Sequence, residues 1–221
     1  MKSFFSTVAL ASALFLEAAN GHYIFQKLTA NGVQGGVYQN VRTNTNYNSP
    51  VTDLADKDLR CNVGGGTGGS TTTVSVAAGS SLTFTADIAV YHQGPVAIYM
   101  TKVASAATAD GSTPWFKIKE IGPAFPGGTW NLAQSYSVNI PSCVPAGEYL
   151  VRIEQLAIHN PGGVPQFYVA CAQVKVTGGG SKSFSGVSIP GHVKATDPGY
   201  TANIYNNFNS YTVPGPAVST C

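Results

Sequence analysis

The residues here with the most distinctive chemistry are four histidines: His22, His92, His159 and His192. His22 stands out by position. Lys2 is followed by an apolar stretch over residues 4–16, and then by Ala18-Ala19-Asn20-Gly21, the pattern of a secretory signal peptide cleaved after Gly21. The expected mature chain therefore spans residues 22–221 and begins with His22. A terminal histidine offers an α-amine as well as an imidazole, and the two can close a chelate ring on one metal ion. A further histidine then completes a set of three nitrogens. Nitrogen-rich tetragonal sites favour Cu(II), which also heads the affinity order of the divalent first-row metals. The amine must lose its proton to bind, so binding would depend on pH. Such a site would hold one copper ion per chain; a histidine exposed by chance at the cleavage point is the alternative while His22 is taken alone.

Composition narrows the classes. The net charge is +2, from 12 Lys+Arg against 10 Asp+Glu, and there is no basic run, which argues against nucleic acid as a partner. Glu17 interrupts the first apolar stretch and no other is long enough, so no membrane span is expected. A hydrophobic content of 43% supports a core. Four cysteines, Cys61, Cys143, Cys171 and Cys221, suit two disulfides in an exported chain, and three connectivities are open. No Asn-x-Ser/Thr acceptor is present.

The elements that must position the histidines read as strands. Residues 74–77, 82–91, 96–103, 115–121, 136–140, 148–157 and 166–176 are β-rich and separated by Pro, Gly and Ser clusters. The expected fold is an all-β, immunoglobulin- or fibronectin-like sandwich with long surface loops. Within the last strand, period-two alternation places Gln166 and Tyr168 on one face and Phe167, Val169 and Cys171 on the other. Residues 31–62 read as a long polar loop carrying Tyr38 and Tyr47. The glycine-rich residues 64–70 read as a turn, since no Gly-Lys-Ser/Thr follows. Glu154 shares a strand face with Arg152, which predicts a structural ion pair; His192, flanked by Pro190-Gly191, reads as a surface residue.

Several motifs stand in a telling order: Tyr91-His92-Gln93-Gly94-Pro95, Ala157-Ile158-His159, Gln166-Phe167-Tyr168-Val169-Ala170-Cys171, Asp197-Pro198-Gly199, Asn203-Ile204-Tyr205 and Tyr211-Thr212-Val213-Pro214-Gly215-Pro216. With a terminal His22, the set resembles the fungal lytic polysaccharide monooxygenases of auxiliary activity family 9, over almost all of residues 22–217. The resemblance implies a copper brace made by His22 and His92, with Tyr168 approaching axially. His159 and Gln166 match the pair that hydrogen-bonds oxygen species at the metal. Tyr211 matches a tyrosine of a flat substrate face, with Tyr38 and Tyr47 as weaker candidates for stacking on sugar rings. The resemblance also implies a Cys61–Cys171 bridge, with Cys143–Cys221 as the remaining pair.

Taken with the resemblance, these residues predict a secreted, monomeric enzyme of one catalytic domain, residues 22–221, with no carbohydrate-binding module. It would cleave cellulose or a related β-1,4-glucan oxidatively at C1 and/or C4. Its co-substrate would be O2 or H2O2, and its electrons would come from cellobiose dehydrogenase or small phenols. A glycoside hydrolase would instead need two carboxylates about 5–10 Å apart across the scissile bond. The acids here read as a solvated turn (Asp53, Asp56, Asp58) or as ion-paired (Glu154). A sugar-binding sandwich without catalysis would use the same tyrosines but gives no reason for the histidines.

Overall fold

The computed structural model describes residues 22–221, so the expected signal peptide lies outside the described residues. Nine strands form two sheets. The smaller has the order β2-β1-β4-β7, with β1 Phe25–Ala30, β2 Val33–Gln34, β4 Ser81–Ala86 and β7 Ser135–Asn139. The larger has the order β3-β9-β8-β5-β6, with β3 Val74–Ala77, β5 Val96–Val103, β6 Phe116–Ile121, β8 Gly147–Ala157 and β9 Gln166–Thr177. All pairings are antiparallel except β3 with β9. The expected sandwich is what forms.

The two sheets bury their faces differently. In β4 and β7 buried and outward positions alternate strictly, as in a sheet with one wet face. Leu82, Phe84, Tyr136 and Val138 point inward there and meet Val151, Ile153, Ala170 and Val174 of the larger sheet. By contrast, β8 and β9 are buried on both faces. Their outer face carries a second cluster, in which Leu150, Leu156, Phe167 and Val169 pack beneath loop residues such as Val51, Leu59, Ile189 and Val193.

Two disulfides form, Cys61–Cys171 within this covering and Cys143–Cys221 between the β7–β8 connection and the C-terminal residue. The first anchors the early loop on β9. Isolated bridges from Val41 to Ala172 and from Val51 to Phe167 lay more of that loop along the same strand.

The outer cluster also contains charge. Arg152 is fully buried; its Nε donates to the carbonyls of Leu59 and Arg60 at 2.9 and 3.0 Å. Its neighbour on the face, Glu154, accepts from Arg152 and lies 2.8 Å from His192 Nε2. Burial works to raise the Glu154 carboxyl, yet Arg152 and His192 outweigh it and hold the group well below the usual carboxylate range. The ion pair is as expected. His192 is not a surface residue: it is 7% exposed, and the Glu154 carboxylate explains how an imidazole sits there.

Three strand assignments also change. Residues 25–30 form a strand absent from the sequence reading, and residues 33–34, read as part of a long loop, pair with it as β2. Residues 88–91, read as the end of a strand, lie beyond it, because the Asp87 carboxylate accepts from both the Ile24 and Ile88 amides and turns the chain.

Candidate metal centre

Five chain segments meet where β8 ends and β9 begins. The first is residues 22–24. Tyr23 is 1% exposed, so hydrophobic burial fixes the segment immediately after His22. Asp87 clamps it, donating its amide to the Ile24 carbonyl at 3.0 Å and accepting the Ile24 amide at 2.8 Å.

The second is the turn before β5 that carries His92. Its Gln93 and Pro95 carbonyls accept from the Ile158 and Leu156 amides at 2.9 and 3.0 Å, so the turn is pinned on the end of β8. Gly94 permits this approach. Its φ is +155°, and a Cβ there would lie 1.8 Å from the Leu156 carbonyl oxygen. The glycine of His-x-Gly-Pro is therefore a packing requirement.

The remaining segments supply His159 just past β8, Gln166 and Tyr168 at the start of β9, and residues 203–205. The His22 and His92 ring centroids lie 5.9 Å apart with planes at 58°. The Tyr168 ring is 5.8 Å from His22 and 6.0 Å from His92. His159 stacks on His92 at 3.9 Å and 12°. The Tyr168 hydroxyl donates to Gln166 Oε1 at 2.9 Å, so the predicted alternation places these two side chains together.

Electrostatically the pocket suits neutral imidazoles. Burial pushes His92 down to about 4, helped by the neighbouring His159 and His22 rings; burial and His22 also lower His159. Burial raises the Tyr168 phenol, keeping it protonated at neutral pH. Metal–imidazole bonds are about 2.0 Å long, so one ion can bridge two rings spaced like His22 and His92. Among the described residues no group of three His, Cys, Asp or Glu side chains is placed to hold a metal ion by itself. Two imidazoles and the amine that cleavage before His22 would free make a set of another kind, and the residues present would fit a copper ion held that way.

Comparison with known proteins decides the family. The model of auxiliary activity family 9 (formerly GH61) matches residues 22–212. The chain belongs to that family. It is 60% identical to AA9 family lytic polysaccharide monooxygenase E of Podospora anserina, over all of this chain and 76% of that one. It is 57% identical to lytic polysaccharide monooxygenase A of Botryotinia fuckeliana, over 99% of this chain and 69% of that one. Among solved structures, HiLPMO9B superposes with a TM-score of 0.80 at 31% identity, over 90% of this chain and all of that one. A cellulose-active polysaccharide monooxygenase from M. thermophila gives 0.79 at 31% identity, over 90% of this chain and 99% of that one. As a member of family 9, the protein is a copper-dependent oxidoreductase that cleaves polysaccharide oxidatively.

The tyrosines expected on a sugar-binding face separate. Tyr47 is 68% exposed with a left-handed φ of 53°, and its neighbour Asn48 donates to the His22 carbonyl at 3.4 Å. Tyr38 turns into its own loop, donating to Asn44 Oδ1 at 2.6 Å. Tyr211 is partly buried. Its ring packs 5.2 Å from Trp130 and 5.9 Å from Phe208, and its hydroxyl donates to the Gly199 carbonyl at 2.8 Å.

Alongside that of Tyr91 next to His92, a more exposed ring near the centre belongs to Tyr205, at 64%. Its hydroxyl lies 3.0 Å from both Gln93 Oε1 and the His159 carbonyl and shares its proton between them. The sequence marks Asn203-Ile204-Tyr205 as a motif without singling out the tyrosine. The available signal was an aromatic between Asn residues, where a core ring is out of place. Gln155 was also missed. A glutamine in register with the core residues Val151, Ile153 and Ala157 was its signal.

Proposed function

We propose that the chain, cleaved after Gly21 and secreted as one catalytic domain, oxidises cellulose or a related β-1,4-glucan at a copper held by His22 and His92. Both nitrogens of His22, amine and ring, would bind, with the ring of His92 as the third donor and Tyr168 facing the metal. The observation that carries this reading is the pair of imidazoles 5.9 Å apart with the Tyr168 ring about equally close to both. When bound, copper supplies the one-electron chemistry by which O2 or H2O2, with electrons from cellobiose dehydrogenase or a small phenol, attacks a C–H bond at C1 or C4.

The chain's own groups then have distinct tasks. The Tyr168 hydroxyl donates a hydrogen bond to Gln166 Oε1, so the Gln166 carboxamide would offer its N–H group to an oxygen species at the metal. His159 keeps a buried Nδ1 with no partner among the described residues, a nitrogen at which a proton can be held or passed on. Tyr205 and Tyr47 supply exposed rings on the face that meets the sugar chain, and a glucan lying across them excludes water. Hydroxylation at C1 or C4 lets the glycosidic bond break by elimination. No hydrolytic water is activated, and Glu154, buried against Arg152 and His192, is not placed to be an acid catalyst.

The cellulose reading draws support from the M. thermophila structure, whose protein is described as cellulose-active. Mass spectrometry of products from phosphoric-acid-swollen cellulose with ascorbate tests it. Aldonic acids are the expected product of C1 attack and 4-keto sugars of C4 attack, and the absence of both refutes cellulose as substrate. The brace has its own test. A mature chain with one extra glycine before His22 should lose tight copper binding in calorimetry, and equal affinity would refute the terminal amine as a ligand.

A further inference from the structure

One side chain reaches both segments that bring the histidines together. Gln155 is fully buried on β8, on the face it shares with the core residues Val151, Ile153 and Ala157. Its Nε2 donates to the His92 carbonyl at 3.1 Å, and its Oε1 accepts the hydroxyl proton of Tyr23. Tyr23 is bonded to His22 in the chain, and its ring stands 4.2 Å from Tyr168. Tyr168 in turn is the cross-strand partner of Gln155. The carboxamide thus has its donor end on the His92 turn and its acceptor end on the His22 segment. Asp87 holds the first segment through Ile24, and the end of β8 holds the second through Gln93 and Pro95. Gln155 links the two segments to each other.

We infer that Gln155 is a positioning residue for the metal centre, setting the separation and relative orientation of the His22 and His92 imidazoles through Tyr23 and the His92 carbonyl. The inference rests on the reading of His22 and His92 as copper ligands. Its chemical basis is the pairing of one donor and one acceptor at the tip of a single buried side chain. Leucine has neither, and glutamate presents only acceptors when ionised, so it would oppose the His92 carbonyl while still receiving the Tyr23 proton. An amide on an apolar strand face is retained at a desolvation cost unless both of its ends are satisfied, and here both are.

The test uses the full mature chain beginning at His22 and three variants, Gln155→Leu, Gln155→Glu and Tyr23→Phe. Copper affinity is measured by competition with a chelator, Cu(II) coordination by electron paramagnetic resonance, and folding by the thermal midpoint. Outer partners of metal ligands typically alter affinity 10–100-fold. Gln155→Leu should therefore weaken copper binding about tenfold or more and shift the copper g and hyperfine values while the protein stays folded. Gln155→Glu and Tyr23→Phe each remove one of the two links and should give smaller shifts in the same parameters. His92→Ala serves as the reference: if it keeps tight copper, the ligand assignment itself is wrong. If it loses copper while a folded Gln155→Leu retains the wild-type spectrum and affinity within twofold, Gln155 merely fills the core and the inference is overturned. Should Gln155→Leu fail to fold, wild-type spectra from both single-link variants overturn it equally.

Discussion

Replacing Tyr205 by alanine should weaken binding to cellulose while leaving the fold and copper intact. A tyrosine carries roughly 150–250 Å² of buriable surface, and Tyr205 is 64% exposed, leaving about 100–150 Å² accessible. A sugar ring covers one face of the phenol, so about half of that, some 50–70 Å², leaves water on binding. At about 25 cal/mol per Å² this contributes roughly 1.5 kcal/mol, close to tenfold in Kd. Tyr205→Phe keeps the ring but removes the hydroxyl held between Gln93 and the His159 carbonyl. It should lose less than threefold. Tyr211→Ala makes the comparison decisive, because that ring is packed against Trp130 and Phe208 and its loss should lower the thermal midpoint and spare affinity. Depletion isotherms on microcrystalline cellulose, with the melting curve of each variant, provide the measurement. Wild-type binding by Tyr205→Ala, or a folded Tyr211→Ala that no longer binds, would refute the assignment.

Two further predictions concern separate parts of the molecule. His92→Ala should lose copper, whereas His159→Ala should keep it and lose most oxidative turnover; a copper-free His159→Ala chain would move that residue into the ligand set. Glu154→Gln leaves the Arg152 charge buried without its counterion, at a cost of about 3–5 kcal/mol. That lowers the thermal midpoint by roughly 6–20 °C for a chain of this size. The Glu154 carboxyl is held below its unfolded value, so its contribution is complete above the ordinary carboxylate range and fades as pH falls toward the depressed folded value. The gap between wild type and variant should accordingly narrow below about pH 4, and a gap unchanged from pH 7 to 3 would refute the pairing as its source.

Much of the centre was legible because its signals are local. Gly94 in His-x-Gly-Pro and the two-residue spacing of Gln166 and Tyr168 each describe a geometry within a few residues. Fold class followed from strand periodicity for the same reason. β1 escaped because its register shifts between Phe25 and Lys27, which puts two half-buried residues in succession and breaks the alternation. His192 looked like a surface residue because its environment is supplied by Glu154, 38 positions earlier. The difference between Tyr205 and Tyr211 is also non-local: only packing against Trp130, far away in sequence, shows which ring is covered.

The sequence distances across the proposed metal centre bear on when it could form. Tyr23 meets Gln155 across 132 positions, and Tyr205 meets Gln93 across 112. No local fragment brings these partners together, so a half-assembled chain offers at most the His22 amine and ring, without the third nitrogen that folding would add. An ion with a strong preference for the finished arrangement then stabilises the native state over every partly folded one, by about 2.7 kcal/mol at a free concentration of a hundred times Kd. The unfolding midpoint should climb with metal concentration, and loading becomes a report that the whole chain has closed.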